Sequence, residues 1–246
     1  MPVRPSRQAM PSMYRIRYMD EPTLVVHWYL SFPSSVCSLL QRHDMKSSSK
    51  FATILHTMVI THHGGQCFKV SHGDTTLVFD PIGKGSTLSP IKFGADVALV
   101  SLRHPNFNGV AQVAYGNKDP FAITGPGEYE VGDVTVRGFG VKTTYEGEER
   151  YNTIYQVLME KLNLVFLGAL SEPDIDATIL GELGDIDVLF VPIGGGDVLE
   201  VPQAAKLAVK LEAKCVIPMH FDKQALDAFR KESVEKAGKT VDKLTL

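Results

Sequence analysis

Apolar and polar positions follow two regimes along this chain, and the change comes at Met58. Residues 1–57 mix Pro, Ser and Arg with scattered aromatics. They hold neither a period of 2 nor one of 3.6, so they offer no face to bury. The run "MKSSSK" (45–50) has the composition of a polar linker. This part reads as a poorly ordered N-terminal extension, or as sequence upstream of a true start at Met58. From Met58 the pattern sharpens. "MVITHHGGQCFKVSHGDTTLVFDP" predicts two or three strands, turned at Gly64-Gly65 and again at "HGD" (72–74), and stopped by Asp80-Pro81. "ADVALVSL" (95–102) has the continuous apolar run of a buried strand.

Short strands separated by Gly-rich turns are expected over "PFAITGPGEYEVGDVTVRGFGV". A well-alternating pair is expected over "YNTIYQVLMEKLNLVFLG", with Asn163 at its turn. The pattern then switches. "DIDVLFVPIGG" (185–195) predicts a strand, and "VPQAAKLAVKLEAK" (201–214) a helix opened by Pro202. "CVIPMHF" (215–221) predicts a further strand, and "KQALDAFRKESVEKAG" (223–238) a charged amphipathic helix ended by Gly238. Strands first, then strand–helix–strand–helix, make a layered α/β fold over residues 58–246, with sheets flanked by helices.

Composition narrows the function classes. The 246 residues carry a net charge of -3, and their most basic stretch, around Arg4, Arg7, Arg15 and Arg17, is short and followed by Asp20 and Glu21. That balance gives no basic face for nucleic acid. No apolar run reaches the roughly 20 residues of a membrane helix. Leu24–Phe32 is the nearest candidate, and His27 interrupts it. Cys37, Cys67 and Cys215 are far apart and odd in number, with no CxxC pair. They signal neither a disulfide framework nor a zinc knuckle, and suggest a reducing, cytoplasmic setting.

The eight histidines are the main candidate chemistry. His27, His43 and His56 lie in the unpatterned part. His62 and His63 end a strand, and His72 sits at a hairpin turn. His104, in "VSLRHPNFNG" (100–109), and His220, at the end of "VIPMH", follow strand ends, where layered α/β folds collect ligands. Asp80 also ends a strand. A carboxylate there either orients a ligand from behind or caps a turn. The turns "TGPGEY" and "PIGGGDV" present backbone N–H groups to an anion or simply turn tightly. Arg103 adds a cation beside His104. Neither a GxxxxGK[ST] loop nor a GxSxG elbow is present.

Taken in order, "GDTTLVFDPI", "ADVALVSLRHPNFNGV", "YNTIYQVLMEKLNLVFLGAL" and "VLFVPIGGGDVLEVPQAAKLAVKLEAKCVIPMHF" resemble four consecutive segments of the metallo-β-lactamase superfamily. Within it they look like the zinc-dependent hydrolases of the ascorbate-6-phosphate-lactonase-like branch. The resemblance implies an αββα sandwich of two mixed β-sheets flanked by helices, and a metal site. On the family's His-x-His-x-Asp-His loop, the first histidine falls on Leu102 and the second on His104. The aspartate falls on Asn106 and the last histidine on Phe107. The next histidine falls near Val141 and Lys142, the bridging aspartate on Ala169 and the last ligand on His220, with Asp80 as the supporting acid.

A catalytic zinc needs three protein ligands and a water, which His104 and His220 alone do not supply. The expectation is therefore a family member with most ligands replaced: a non-catalytic or ligand-binding derivative, with no cofactor or with zinc weakly held. Its pocket, around Arg103, Asn106 and Phe107, would take a small anionic ligand. The alternative is a metal-dependent hydrolase with a mononuclear site completed by His63. Its substrate would be small and, as in some branches of the family, phosphorylated. Nothing in the sequence sets the oligomeric state.

Overall fold

Three antiparallel strands follow Met58 directly: β1 (Val59–His62), β2 (Phe68–His72) and β3 (Thr75–Phe79). The computed structural model describes residues 57–232 and 244–246. Residues 1–56, including His27, His43 and His56, lie outside it, as do residues 233–243, which hold the later part of the helix expected over 223–238. After β3 come β4 (Val97–Leu99), the short helix α1 (Val110–Val113), β5 (Phe121–Ile123) and β6 (Gly127–Val131). The long strands β7 (Val134–Tyr145) and β8 (Glu148–Met159) follow, then β9 (Leu162–Phe166) and α2 (Ala177–Leu183). The described chain closes with β10 (Val188–Pro192), α3 (Val201–Lys210), β11 (Cys215–Met219), α4 (Lys223–Glu232) and β12 (Leu244–Thr245).

The strands form two six-stranded mixed sheets, ordered β12-β1-β2-β3-β4-β5 and β11-β10-β9-β8-β7-β6. In the first, β3, β4 and β5 run parallel; in the second, β9, β10 and β11 do. Strands β10 and β11 are buried at every residue, as parallel strands covered on both faces must be. Between the sheets, Phe79 stacks on Phe166 at 4.5 Å and Phe68 tilts against Phe190 at 4.8 Å, within the core of the molecule. Residues of α2, α3 and α4 pack on the outer face of the second sheet. Val113 of α1, with Ile82, Ile91 and Ala95, covers the first. The result is the αββα sandwich.

Several local expectations change. The turn between β8 and β9 falls at Glu160 and Lys161, whose φ angles of 50° and 66° make it, while Asn163 is inside β9. There the Asn163 amide donates to the carbonyls of Leu183 and Asp185, so it is a buried tie and not a turn residue. Gly138 and Gly140, expected in turns, lie inside β7, which pairs with β8 without interruption from Thr135–Leu158 to Tyr145–Glu148. His72 ends β2 and faces Glu160 at 3.6 Å. The helix expected over 201–214 ends at Lys210; it opens on a capping box between Glu200 and Gln203. No helix among the described residues is long and apolar enough to cross a membrane.

Candidate functional site

Both parallel strand trios end at the same edge of the sandwich. Asp80 follows β3, and Ser101 lies just past β4. Gly168 and Ala169 follow β9, and His220 follows β11. Asp80 takes a positive φ of 44° and is fully buried. Its carboxylate accepts from the Ser101 backbone N–H at 2.7 Å and from the Ser101 hydroxyl at 2.6 Å. Burial dominates over these bonds and pushes the Asp80 carboxyl up to about 8. Gly168, at φ 62°, turns the chain where a Cβ would come within 2.3 Å of the Asn152 side chain. Asn152 then clamps the turn. It donates to Leu167 O and accepts from Ala169 N–H, both at 2.9 Å.

The two histidines expected at ligand positions are held as donors. Nδ1 of His104 accepts from the Asn106 backbone N–H at 3.2 Å, which leaves the proton on Nε2, 3.3 Å from Glu146 Oε2. Nδ1 of His220 faces the Gln66 amide nitrogen at 2.9 Å. With that amide donating, His220 also carries its proton on Nε2. Burial holds the His220 imidazole below its ordinary pKa, so it stays neutral at pH 7. A metal-bound imidazole needs a bare lone pair on the coordinating nitrogen. Each ring here has its one lone pair turned to a protein donor.

Aromatic rings fill the space between them. Tyr145 lies 5.1 Å from the His104 ring and 6.1 Å from that of His220; Phe107 lies 5.8 Å and 6.1 Å from the same two. Leu102, Phe107, Tyr145, Ala169 and Val198 make one buried apolar cluster, none more than 3% exposed. Three of the five, Leu102, Phe107 and Ala169, stand where the resemblance puts metal ligands. Asn106 spans two loops: its amide donates to the Tyr145 hydroxyl at 3.3 Å, and its carbonyl accepts from the Ser86 hydroxyl at 2.7 Å. His63 does not join this group. Its ring tilts against Phe93 at 4.7 Å, and burial lowers its pKa. Arg103 is exposed beside His104.

Among the described residues, no three His, Cys, Asp or Glu side chains gather as they must to hold a metal ion. The donor set therefore does not fit the family's zinc site. Sequence reasoning missed Gln66, Tyr145, Glu146 and Asn152. Gln66 was signalled only by its place directly after the Gly64-Gly65 turn. Tyr145 and Glu146 lie at the tip of the β7–β8 hairpin, whose glycines Gly138 and Gly140 read as turn signals in the sequence.

A family model described as the β-lactamase superfamily domain matches residues 59–220. A UPF0173 metal-dependent hydrolase of Listeria monocytogenes is 28% identical over 196 residues, 67% of this chain and 86% of its own length. The Bacillus subtilis UPF0173 metal-dependent hydrolase YtkL is 27% identical over the same shares. Among solved structures, a metallo-β-lactamase superfamily protein of Thermotoga maritima aligns with a TM-score of 0.58 and 30% identity, over 72% of this chain and 87% of that one. The metallo-β-lactamase fold protein YhfI of Bacillus subtilis, at 12% identity, shares the fold with a TM-score of 0.53, over 77% and 99%. The sandwich has its relatives among proteins described as metal-dependent hydrolases, and the chain belongs to the metallo-β-lactamase superfamily.

Proposed function

We propose that this chain is a non-hydrolytic derivative of a metal-dependent hydrolase, one that keeps the fold and a pocket at the strand ends but does not work through zinc. The observation that carries this reading is the apolar cluster of Leu102, Phe107, Tyr145, Ala169 and Val198, packed where the family's metal ligands would converge. Metal-assisted hydrolysis needs a cation to lower the pKa of a bound water and to polarise the scissile group. A dication also needs charged or lone-pair donors to offset its desolvation. Leu102, Phe107 and Ala169 bring neither, and Asn106 brings no charge.

The tautomers of His104 and His220 support the same reading, because restoring either as a ligand means breaking a hydrogen bond first. The test is metal content. The full-length protein, produced untagged in zinc-supplemented medium, should hold far less than one equivalent of zinc by elemental analysis. One tightly held equivalent, lost in a His104→Ala variant, would replace this reading with a mononuclear metal-dependent hydrolase.

A further inference from the structure

The β7–β8 hairpin outruns its neighbours. β6 pairs with β7 only from Val131–Val134 to Gly127–Gly138, and β9 pairs with β8 only as far as Tyr155–Phe166. Gly138 and Tyr155 face each other, so both flanking strands stop at one level. Beyond it the hairpin is two strands alone. Its lower part is tied down. Asn152 bonds Leu167 and Ala169, Thr153 N–H donates to Ser101 O at 2.8 Å, and the Thr143 hydroxyl donates to Ala169 O at 2.5 Å.

The tip is different. Glu146, Gly147, Glu148 and Glu149 are exposed, and between Thr144 and Tyr151 only Tyr145 is buried. Glu146 and Gly147, at φ 52° and 74°, make a tight two-residue loop, so the tip is a stiff unit. Polar contacts hold it down. The Asn106 amide donates to the Tyr145 hydroxyl at 3.3 Å, and the Glu146 carboxylate faces His104 at 3.3 Å. The N–H groups of Glu146 and Thr144 donate to Asp197 at 2.8 Å and to the Ser171 hydroxyl at 3.0 Å. These partners sit in loops after β4, β9 and β10, so the tip straps the site from one sheet to the other. Water replaces contacts at such exposed groups with little net loss.

Under the strap, the Tyr145 ring lies 5.1 Å from His104, 5.3 Å from Phe107 and 6.1 Å from His220. The walls stand without it. Ser86 holds the Asn106 carbonyl, Gln66 holds His220, and Phe107 N–H donates to His104 O at 2.9 Å. We infer that the hairpin tip is a lid and Tyr145 its plug, over a binding site for a small phenol-like ligand. Such a ring would lie among Phe107, His104 and His220, its oxygen accepting from the Asn106 amide. The site rests on the metal-free reading, since the ring takes the space between the two histidines. Apparent affinity is then the intrinsic affinity scaled by the fraction of open lid, and loosening the strap tightens binding.

The experiment titrates full-length, chelator-treated protein with p-cresol, the tyrosine side chain as a free molecule, and follows backbone amide shifts. Saturable shifts at His104, Phe107 and His220 are expected in the parent. Glu146→Gln, which removes the charge facing His104, should bind about two- to fivefold more tightly. Glu149→Gln, whose charge faces Lys142 instead, should bind as the parent does. Tyr145→Gly should bind most tightly; if it does not fold, the Glu146 and Glu149 variants decide. No saturable shift in either the parent or Glu146→Gln would make Tyr145 a fixed core residue and overturn the proposal, even if Tyr145→Gly binds. Equal gains in Glu146→Gln and Glu149→Gln, or shifts confined to other parts of the protein, would overturn it too. Binding at the same residues in protein carrying a tight equivalent of zinc would refute the metal-free reading alone and leave the lid standing.

Discussion

Gln66 and His220 meet at 2.9 Å across 154 residues of sequence, amide nitrogen to Nδ1, at the buried edge where the two sheets converge. Gln66 is fully buried, and its Oε1 has no partner among the described residues. Its amide nitrogen therefore makes the hydrogen bond that fixes the imidazole. Gln66→Leu would orphan Nδ1 of a mostly buried histidine. The expected loss is about 1–3 kcal/mol of folding stability, the usual cost of an unsatisfied buried polar atom. Urea denaturation checks it, and an unchanged midpoint would show that His220 does not depend on Gln66.

Phe107→His puts a polar ring into the cluster of Leu102, Tyr145, Ala169 and Val198. No donor or acceptor of that cluster other than the Tyr145 hydroxyl stands ready for it. A destabilisation of about 1–3 kcal/mol is expected in metal-free buffer. A melting temperature equal to or above the parent's would mean that the pocket still accommodates an imidazole.

Asp80 makes stability depend on pH, and the sign follows from its raised value. The folded protein holds the proton up to about pH 8, whereas the unfolded chain releases it near 3.8. Between those values the native state binds more protons, so stability falls as pH rises, by at most about 1.4 kcal/mol per pH unit. His62 works in the opposite direction but lower down. Its folded value of about 4 makes stability fall only as pH drops below 6.5. His63 and His220, also lowered by burial, act in the same sense as His62, but all three contribute alike to the parent and to an Asp80 variant, so the difference between the slopes of parent and variant from pH 6.5 to 8 reports Asp80. Asp80→Asn mimics the protonated acid toward Ser101, so its unfolding free energy should be flatter across that window. Parallel slopes in parent and variant would count against a protonated Asp80.

Gly168→Ala forces a side chain into a left-handed turn against Asn152 and Ser101. A loss of about 1–3 kcal/mol or more is expected, from backbone strain and from displacement of the Asn152 clamp. Differential scanning calorimetry gives the answer, and a neutral result would show that the β9 turn relaxes.

The layered fold was legible because its strong signals are local. Apolar runs such as "VLFVP" and "CVIPM" fit parallel strands covered on both faces, and Pro202 marks the start of α3. Element ends were legible where Asp80-Pro81 stops a strand. They were misread where a glycine serves close packing instead of a turn: a Cβ on Gly138 would meet the backbone of the 125–126 segment at 3.0 Å, inside a continuous strand. His104 and His220 were visible as residue types at strand ends. The tautomer of His220 was not, because it depends on Gln66, which is distant in sequence and has no motif of its own. Tyr145 was invisible for the same reason: its role comes from a long hairpin bringing its tip to the strand ends.

The pairing of β1 with β12 has a consequence for synthesis. Val59 lies opposite Thr245 and Ile60 opposite Leu244, so the first described strand is flanked on its outer side by the last described one. While the chain is emerging from the ribosome, the β1 edge that β12 covers gains this partner only once residues 244–245 have left the exit tunnel. The second sheet, built from residues 127–219, has all its strands before that moment. Among the described strands, the second sheet thus has all its partners while the β1 edge of the first is still waiting for β12. That interval is when a neighbouring chain on the same messenger would find the edge.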